Sequence, residues 1–329
     1  MRSTRGPVLD WLLEDSDPAV RLYALTRLLG EPEDSRAASA ARKALMRAPP
    51  VAEILALQSP EGAWGDPRKY YTDKYGGTSW QLVILAELGA DGRDPRIGAA
   101  CELLFELAQD RESGGFAVNE SAATGGGRHG EVIPCLTGNM ARSLLRLGYG
   151  GDRRLRRAVD WILEYQRADD GDGAATGWPY DRMEICFGAH SCFMGVVKSL
   201  KALAALPTAE RRGKAGSKIA QLVEFMLAHR VYKRSRDFSR PSKPGWLKPG
   251  FPLMYQTDLL EILCVLRELG VEDGRMSDAL EALDARRGGD GRWRLENSFN
   301  GKTLVDIERK GEASKWITAR ALYALGEGA

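Results

Sequence analysis

The chain has 329 residues, 43% of them hydrophobic and 28% charged, which is ample material for a large buried core and too apolar for a disordered chain. Forty-seven Lys plus Arg stand against 45 Asp plus Glu, a formal net charge of +2, so no global basic field points to nucleic acid or to an anionic membrane, and neither is expected as a partner. No apolar run of signal-peptide length opens the chain and none approaches ~18 residues, so a cytoplasmic protein without a membrane span is expected. Cysteine use narrows the chemistry further. There are five cysteines and three histidines, and an odd cysteine count without an export signal argues against a disulfide framework, leaving core thiols or metal ligands. Cys135, Cys186, Cys192, His129 and His190 crowd into one stretch of the sequence.

In chain order, residues 1–50 read as a helical lead-in. Asp17-Pro18-Ala19-Val20-Arg21 opens an amphipathic helix in the manner of a HEAT-type repeat, with Asp17 as N-cap and Pro18 in the first turn. Pro49-Pro50 then separates this region from residues 51–329. From there nearly every long segment has helical period, as in Ala158, Trp161, Ile162 and Tyr165, and no run alternates as a strand does. An all-α fold is predicted. Glycine runs at Gly125-Gly126-Gly127, Gly171-Asp172-Gly173 and Gly288-Gly289-Asp290-Gly291 punctuate the helices.

The helices repeat. One half-unit ends in Gln or Arg, followed by a polar turn, Gly and an aromatic: Gln58, Gly62 and Trp64; Gln109, Gly115 and Phe116; Gln166, Gly177 and Trp178; Arg286, Gly291 and Trp293. The other half-unit opens on a hydroxyl residue, at Thr78, Thr137, Ser191, Thr257 and Ser314, and closes on a leucine-rich turn. Each unit is long enough for two helices, so stacked helical hairpins are predicted. The hydroxyls are expected to serve as N-caps, whose side-chain oxygens satisfy orphan helix N–H groups.

These Gln, Gly, Trp units resemble the QW-type repeats of the terpenoid cyclase and protein prenyltransferase superfamily over about residues 51 to 329. The resemblance implies an α/α toroid in which inner and outer helices alternate around a closed barrel, with the hydroxyl-started helices as the inner set. A second, local resemblance joins it. Ala189-His190-Ser191-Cys192-Phe193 is similar to the His-Thr-Cys segment of prenyltransferase β subunits, where the His is a zinc ligand, and Pro134-Cys135-Leu136-Thr137 opens the preceding predicted inner helix, where that family has a Cys ligand. The resemblance therefore implies Zn²⁺ on Cys135 and His190. The family's Asp ligand is replaced by Ile133 here. Cys186 is the natural substitute, four residues before His190, and Cys192 or His129 could complete a closed site.

The acid motif Asp-x-Asp-Asp of the cyclases is missing; Asp169-Asp170-Gly171-Asp172 has another order and reads as a polar turn. A transferase would activate a thiol on zinc and need cations for its leaving group. Lys233, Arg234 and Arg236, in a long connection with Arg240, Lys243 and Lys248, are the candidate substrate-binding residues. Tyr255 and Asp258, opening a later helix, are the candidate catalytic residues. Two functions are expected from this: a zinc-dependent transferase of the prenyltransferase type acting on an isoprenoid or other apolar, lipid-like substrate inside the barrel, or a non-catalytic toroid with a structural zinc that binds a peptide or glycan.

Overall fold

A computed structural model describes residues 6–171 and 175–328; Asp172 and Gly173 of the predicted turn lie outside the described residues. The described chain is mostly helical, and its one small sheet is the antiparallel hairpin of β1 (Lys233–Arg234) and β2 (Asp237–Pro241). Among the described residues no helix is long and apolar enough to cross a membrane.

Five helices are buried on nearly every side, as α-helices surrounded by other helices must be: α5 (Thr78–Leu88), α7 (Pro134–Arg146), α10 (Phe193–Ala204), α12 (Leu259–Glu268) and α14 (Lys315–Leu325). They touch in chain order, α5 on α7, α7 on α10, α10 on α12 and α12 on α14, and an ion pair from Arg320 of α14 to Glu87 of α5 links the last to the first. Four of them pack on the helix that follows, namely α6 (Pro95–Leu107), α8 (Arg153–Tyr165), α11 (Gly213–Ala228) and α13 (Ser277–Asp284). These outer partners are one-sided. In α8 only Leu155, Ala158, Val159, Trp161 and Ile162 are buried, the stripe that their spacing in the sequence announces.

The repeat has a definite mechanical use. Gln58 Nε2 donates to the carbonyls of Gly62 (2.9 Å) and Arg96 (2.8 Å), and Gln109 Nε2 does the same to Gly114 (2.8 Å) and Arg154 (2.7 Å). Each Gln therefore ties its own turn to the start of the next outer helix. Trp64 and Trp293, both fully buried, donate their indole N–H to a carbonyl ten residues earlier, Ile54 (2.7 Å) and Leu283 (2.8 Å). The hydroxyls differ from the N-cap expectation. Thr78 and Thr137 already lie within their helices, and their Oγ1 atoms accept from the backbone N–H of Trp64 (3.1 Å) and Phe116 (2.9 Å), pinning the aromatic turn to the inner helix; Thr318 does this for Trp293 (3.0 Å). Ser314 is a true N-cap, accepting from Ile317 N–H (2.9 Å).

At the N-terminal end α1 (Pro7–Leu12) and α2 (Pro18–Tyr23), with the wider turn 24–28 that continues it, pack against α14. Asp17 caps α2 by accepting from Val20 N–H (3.1 Å), with Pro18 in the first turn.

Helices α7 and α10 approach each other closely. A Cβ on Gly138 would sit 2.5 Å from the Lys198 carbonyl carbon, so only glycine fits there. This approach fixes the two N-terminal ends that carry Cys135 and Cys192.

Candidate functional site

A cavity of about 860 Å³ opens where the N-terminal ends of α7 and α10 meet the connection between α11 and α12. Its walls combine apolar side chains, among them Tyr71, Ile133, Phe193, Met194 and Trp246, with the cations Arg234, Arg236 and Lys243. Phe193 is held by edge contacts to Phe225 (5.3 Å) and Trp246 (4.6 Å), so the apolar wall is preorganised. Of the residues expected to bind substrate, Arg234 and Arg236 line the cavity, whereas Lys233 turns outward to pair with Asp278.

Cys135, Cys186, Cys192 and His190 all line this one cavity. Burial holds the Cys135 thiol well above the usual range, the neighbouring Cys186 and Cys192 oppose its ionisation further, and Lys198 pulls the other way. Cys186 is pushed up to about 12, first by burial and then by Cys192. The Tyr71 hydroxyl meets Cys135 from across the wall. Three thiols and an imidazole are the donor types zinc prefers. As placed, however, they do not fit the ion, because among the described residues no three His, Cys, Asp or Glu side chains are gathered closely enough to hold one. His190 is exposed at the rim. His129 is remote from the thiols in its contacts: it stacks on Trp178 at 4.2 Å and bonds to Asp110 (2.8 Å).

Tyr255 also lines the cavity, 6.0 Å from the Trp80 ring, and burial raises its phenol. Asp258 does not line it. It is 2% exposed and caps α12, one carboxylate oxygen accepting from Glu261 N–H and the other from Gly250 N–H, each at 2.8 Å. Burial pushes its carboxyl up to about 6 against the pull of those two donors. Asp258 is a brace for the loop that forms the cavity wall, so Asp258→Asn, which leaves one of the two N–H groups without an acceptor, is expected to lower stability by about 1–2 kcal/mol. Denaturant unfolding checks the loss, and a direct change in ligand affinity larger than the change in stability would contradict the bracing role.

His229 is a residue of the cavity that the sequence pattern does not single out. The ring lies in the cavity wall, its Nδ1–H donating to the Phe225 carbonyl (2.7 Å) and its Nε2 facing Ser235 Oγ (2.9 Å). Ser235 Oγ is in turn 2.7 Å from Asp170 Oδ1. The single hydroxyl hydrogen can serve either neighbour, so a proton can pass along Asp170, Ser235 and His229 at the rim. Asp170 thus has a partner in the cavity wall, which the polar-turn reading did not foresee. The signal was faint: a histidine next to a basic connection, in a chain with three histidines.

Beneath the cavity the space between the inner helices is filled by charge. Lys198, fully buried, donates to both oxygens of Glu261 (2.8 and 2.6 Å); Lys201 bridges Glu261 (2.7 Å) and Glu87 (2.8 Å); and Arg320 completes the link on Glu87. None of these charged side chains lines the cavity.

No family model matches the sequence, and no curated protein matches it. Among solved structures the chain is similar to the apo type II terpene cyclase MstE from Scytonema, at 16% identity over 97% of this chain and 98% of that one, with a TM-score of 0.43. It is also similar to a variant of that cyclase in complex with geranylgeranyl dihydroxybenzoate, at 16% identity over 98% of both chains with a TM-score of 0.41. A protein from Actinoplanes is similar at 18% identity over 94% of this chain and 89% of that one, with a TM-score of 0.42.

Proposed function

We propose that the chain is an α/α toroid of the terpenoid cyclase and prenyltransferase type that binds an amphiphile at its mouth, an apolar body against the aromatic wall and an anionic head on Arg234, Arg236 and Lys243. The observation that carries the reading is the meeting of an apolar wall and basic side chains in one cavity of about 860 Å³, within the ~300–1,000 Å³ of small-molecule sites. The toroid is supported by the chain-order contacts of the five inner helices and by the link from Arg320 to Glu87. An isoprenoid with a phosphate or carboxylate head is one such ligand. Because charge fills the ring below, the apolar body must lie across the mouth and not along the axis. The test is displacement of a fluorescent anionic fatty acyl or prenyl probe: saturable binding is expected, with an uncharged analogue of the same chain length binding about 10-fold more weakly or worse. Equal affinity for the two probes, or a preference for a neutral glycan, would remove the basic rim from the reading.

Zinc is the second reading, supported by the three thiols Cys135, Cys186 and Cys192 that line one cavity wall with His190 at its rim. Holding the ion would require the segment 183–192 to close on Cys135. On this reading, protein purified without chelator carries about one zinc per chain and Cys135→Ser lowers that content sharply; metal analysis that finds none in the parent protein ends this reading without touching the first.

A further inference from the structure

The far side of the ion network has a charge imbalance that the cavity at the mouth does not explain. Arg142, Arg146, Lys198, Lys201 and Arg320 from the later turns of the inner helices, with Arg27 from the wide turn after α2, face three carboxylates, Glu87, Glu268 and, from the start of α12, Glu261. Every one of these cations but Arg146 has an ion-pair partner. Arg146, on the last turn of α7, makes no side-chain hydrogen bond or ion pair among the described residues, and its neighbours Arg142 and Arg27 carry the same sign. Burial and those two neighbours push its guanidinium down to about 10. Two further donors are idle: Nε of Arg142 and Nε of Arg320 are buried without a partner, and the Arg320 side chain is only 9% exposed.

All of these groups except Lys198 line a small, partly open space of about 50 Å³, several times the ~10–15 Å³ that one water needs. A cleft of about 620 Å³ shares Arg27 and Arg146 with it and is lined further out by the ion pairs of Arg42 with Glu33 and Arg93 with Asp91. Planar guanidinium groups with unused N–H donors match the oxygens of a tetrahedral anion.

We infer that the C-terminal ends of the inner helices form a second binding site, for a phosphate-like oxyanion held by Arg146, Arg142 and Arg27. A multivalent oxyanion would offset the cation excess and take up the idle donors. The competing explanation is that the cations are balanced by the helix C-termini, each worth roughly half a negative charge.

The two explanations differ in sign. If an anion belongs there, Arg146→Gln removes like-charge repulsion from the anion-free protein, so in phosphate-free buffer its unfolding temperature should equal or exceed that of the parent. In inorganic phosphate at constant ionic strength the parent should be stabilised saturably, and the variant's phosphate affinity, read by calorimetric titration, should fall at least 10-fold. Parallel titration with a nucleoside monophosphate separates the sources: preference for inorganic phosphate means a free ion, preference for the ester means the phosphoryl group of a larger molecule entering by the cleft. Arg236→Gln removes phosphate held at the mouth, and in that background Arg146→Gln should still lower the remaining phosphate affinity at least 10-fold. The inference is overturned if phosphate has no saturable effect, if Arg236→Gln and not Arg146→Gln abolishes it, or if Arg146→Gln merely lowers stability in every buffer, as a helix-dipole role requires.

Discussion

Replacing Glu261 by Gln is expected to destabilise the fold by about 3–5 kcal/mol, the usual cost of removing one partner from a buried ion pair. The carboxylate is 1% exposed and receives three short donor contacts, two from Lys198 and one from Lys201. An amide accepts through one oxygen only and carries no charge, so two ammonium groups would be left in the interior with Glu87 as their nearest compensation. Lys198→Met should be milder, because Lys201 still pairs with the remaining carboxylate and the methionine fills most of the vacated volume. The network also predicts a pH dependence. Burial alone would raise Glu261, but Lys198 and Lys201 overcome it and hold the carboxyl down to about 2. A depressed folded value contributes stability above the ordinary carboxyl range that is lost as pH falls through that range toward about 2. Urea unfolding of the parent and Glu261→Gln at stepwise lower pH should therefore show the gap between them narrowing from pH 5 to pH 3; a gap that stays constant would mean that Glu261 is not ionised in the fold.

This network explains why only part of the molecule is legible in its sequence. The Gln, Gly, Trp units can be read directly because each satisfies its backbone groups locally: Gln58 and Trp64 reach carbonyls on neighbouring segments, and the same offsets recur at Gln109 and Trp293. The third unit departs from the pattern. Gln166 bonds to Ser199 (2.8 Å) and Trp178 to the His129 carbonyl (3.0 Å), since the long turn after α8 carries its aromatic away from the inner helix. Lys198 and Lys201 give no sign of burial in Val197-Lys198-Ser199-Leu200-Lys201, where lysine is ordinarily solvated. Their partners Glu87 and Glu261 come from two other inner helices, and Arg320, which shares Glu87, from a third, so the burial exists only once these helices have packed together. The gathering of Cys135, Cys186, Cys192 and His190 into one wall follows from position in the repeat and was legible; the distances that decide metal binding were not, because they depend on how residues 183–192 fold back against α7.

Reversing the charge at the rim, Arg234→Glu with Arg236→Glu, is expected to weaken binding of an anionic amphiphile by about 100-fold or more while leaving the fold intact, since two charged donor contacts are lost and like charge is set against the ligand head. Both arginines are exposed on or beside the β1–β2 hairpin and neither has an ion-pair partner among the described residues, so nothing in the interior depends on them. The uncharged analogue serves as the internal comparison: its affinity should change less than about 3-fold, because its apolar contacts to Phe193, Met194 and Trp246 are untouched. Salt adds an independent readout. Rim contacts at exposed arginines are screened over a Debye length of about 8 Å at physiological ionic strength, so the parent's preference for the anionic probe should shrink with added salt, and the double variant should show no such dependence. If the charge reversal leaves the anionic probe bound as tightly as before, the head group lies elsewhere in the cavity, and the polar relay of His229, Ser235 and Asp170 becomes the place to seek it; if it weakens both probes equally, the hairpin shapes the apolar wall and does not recognise charge.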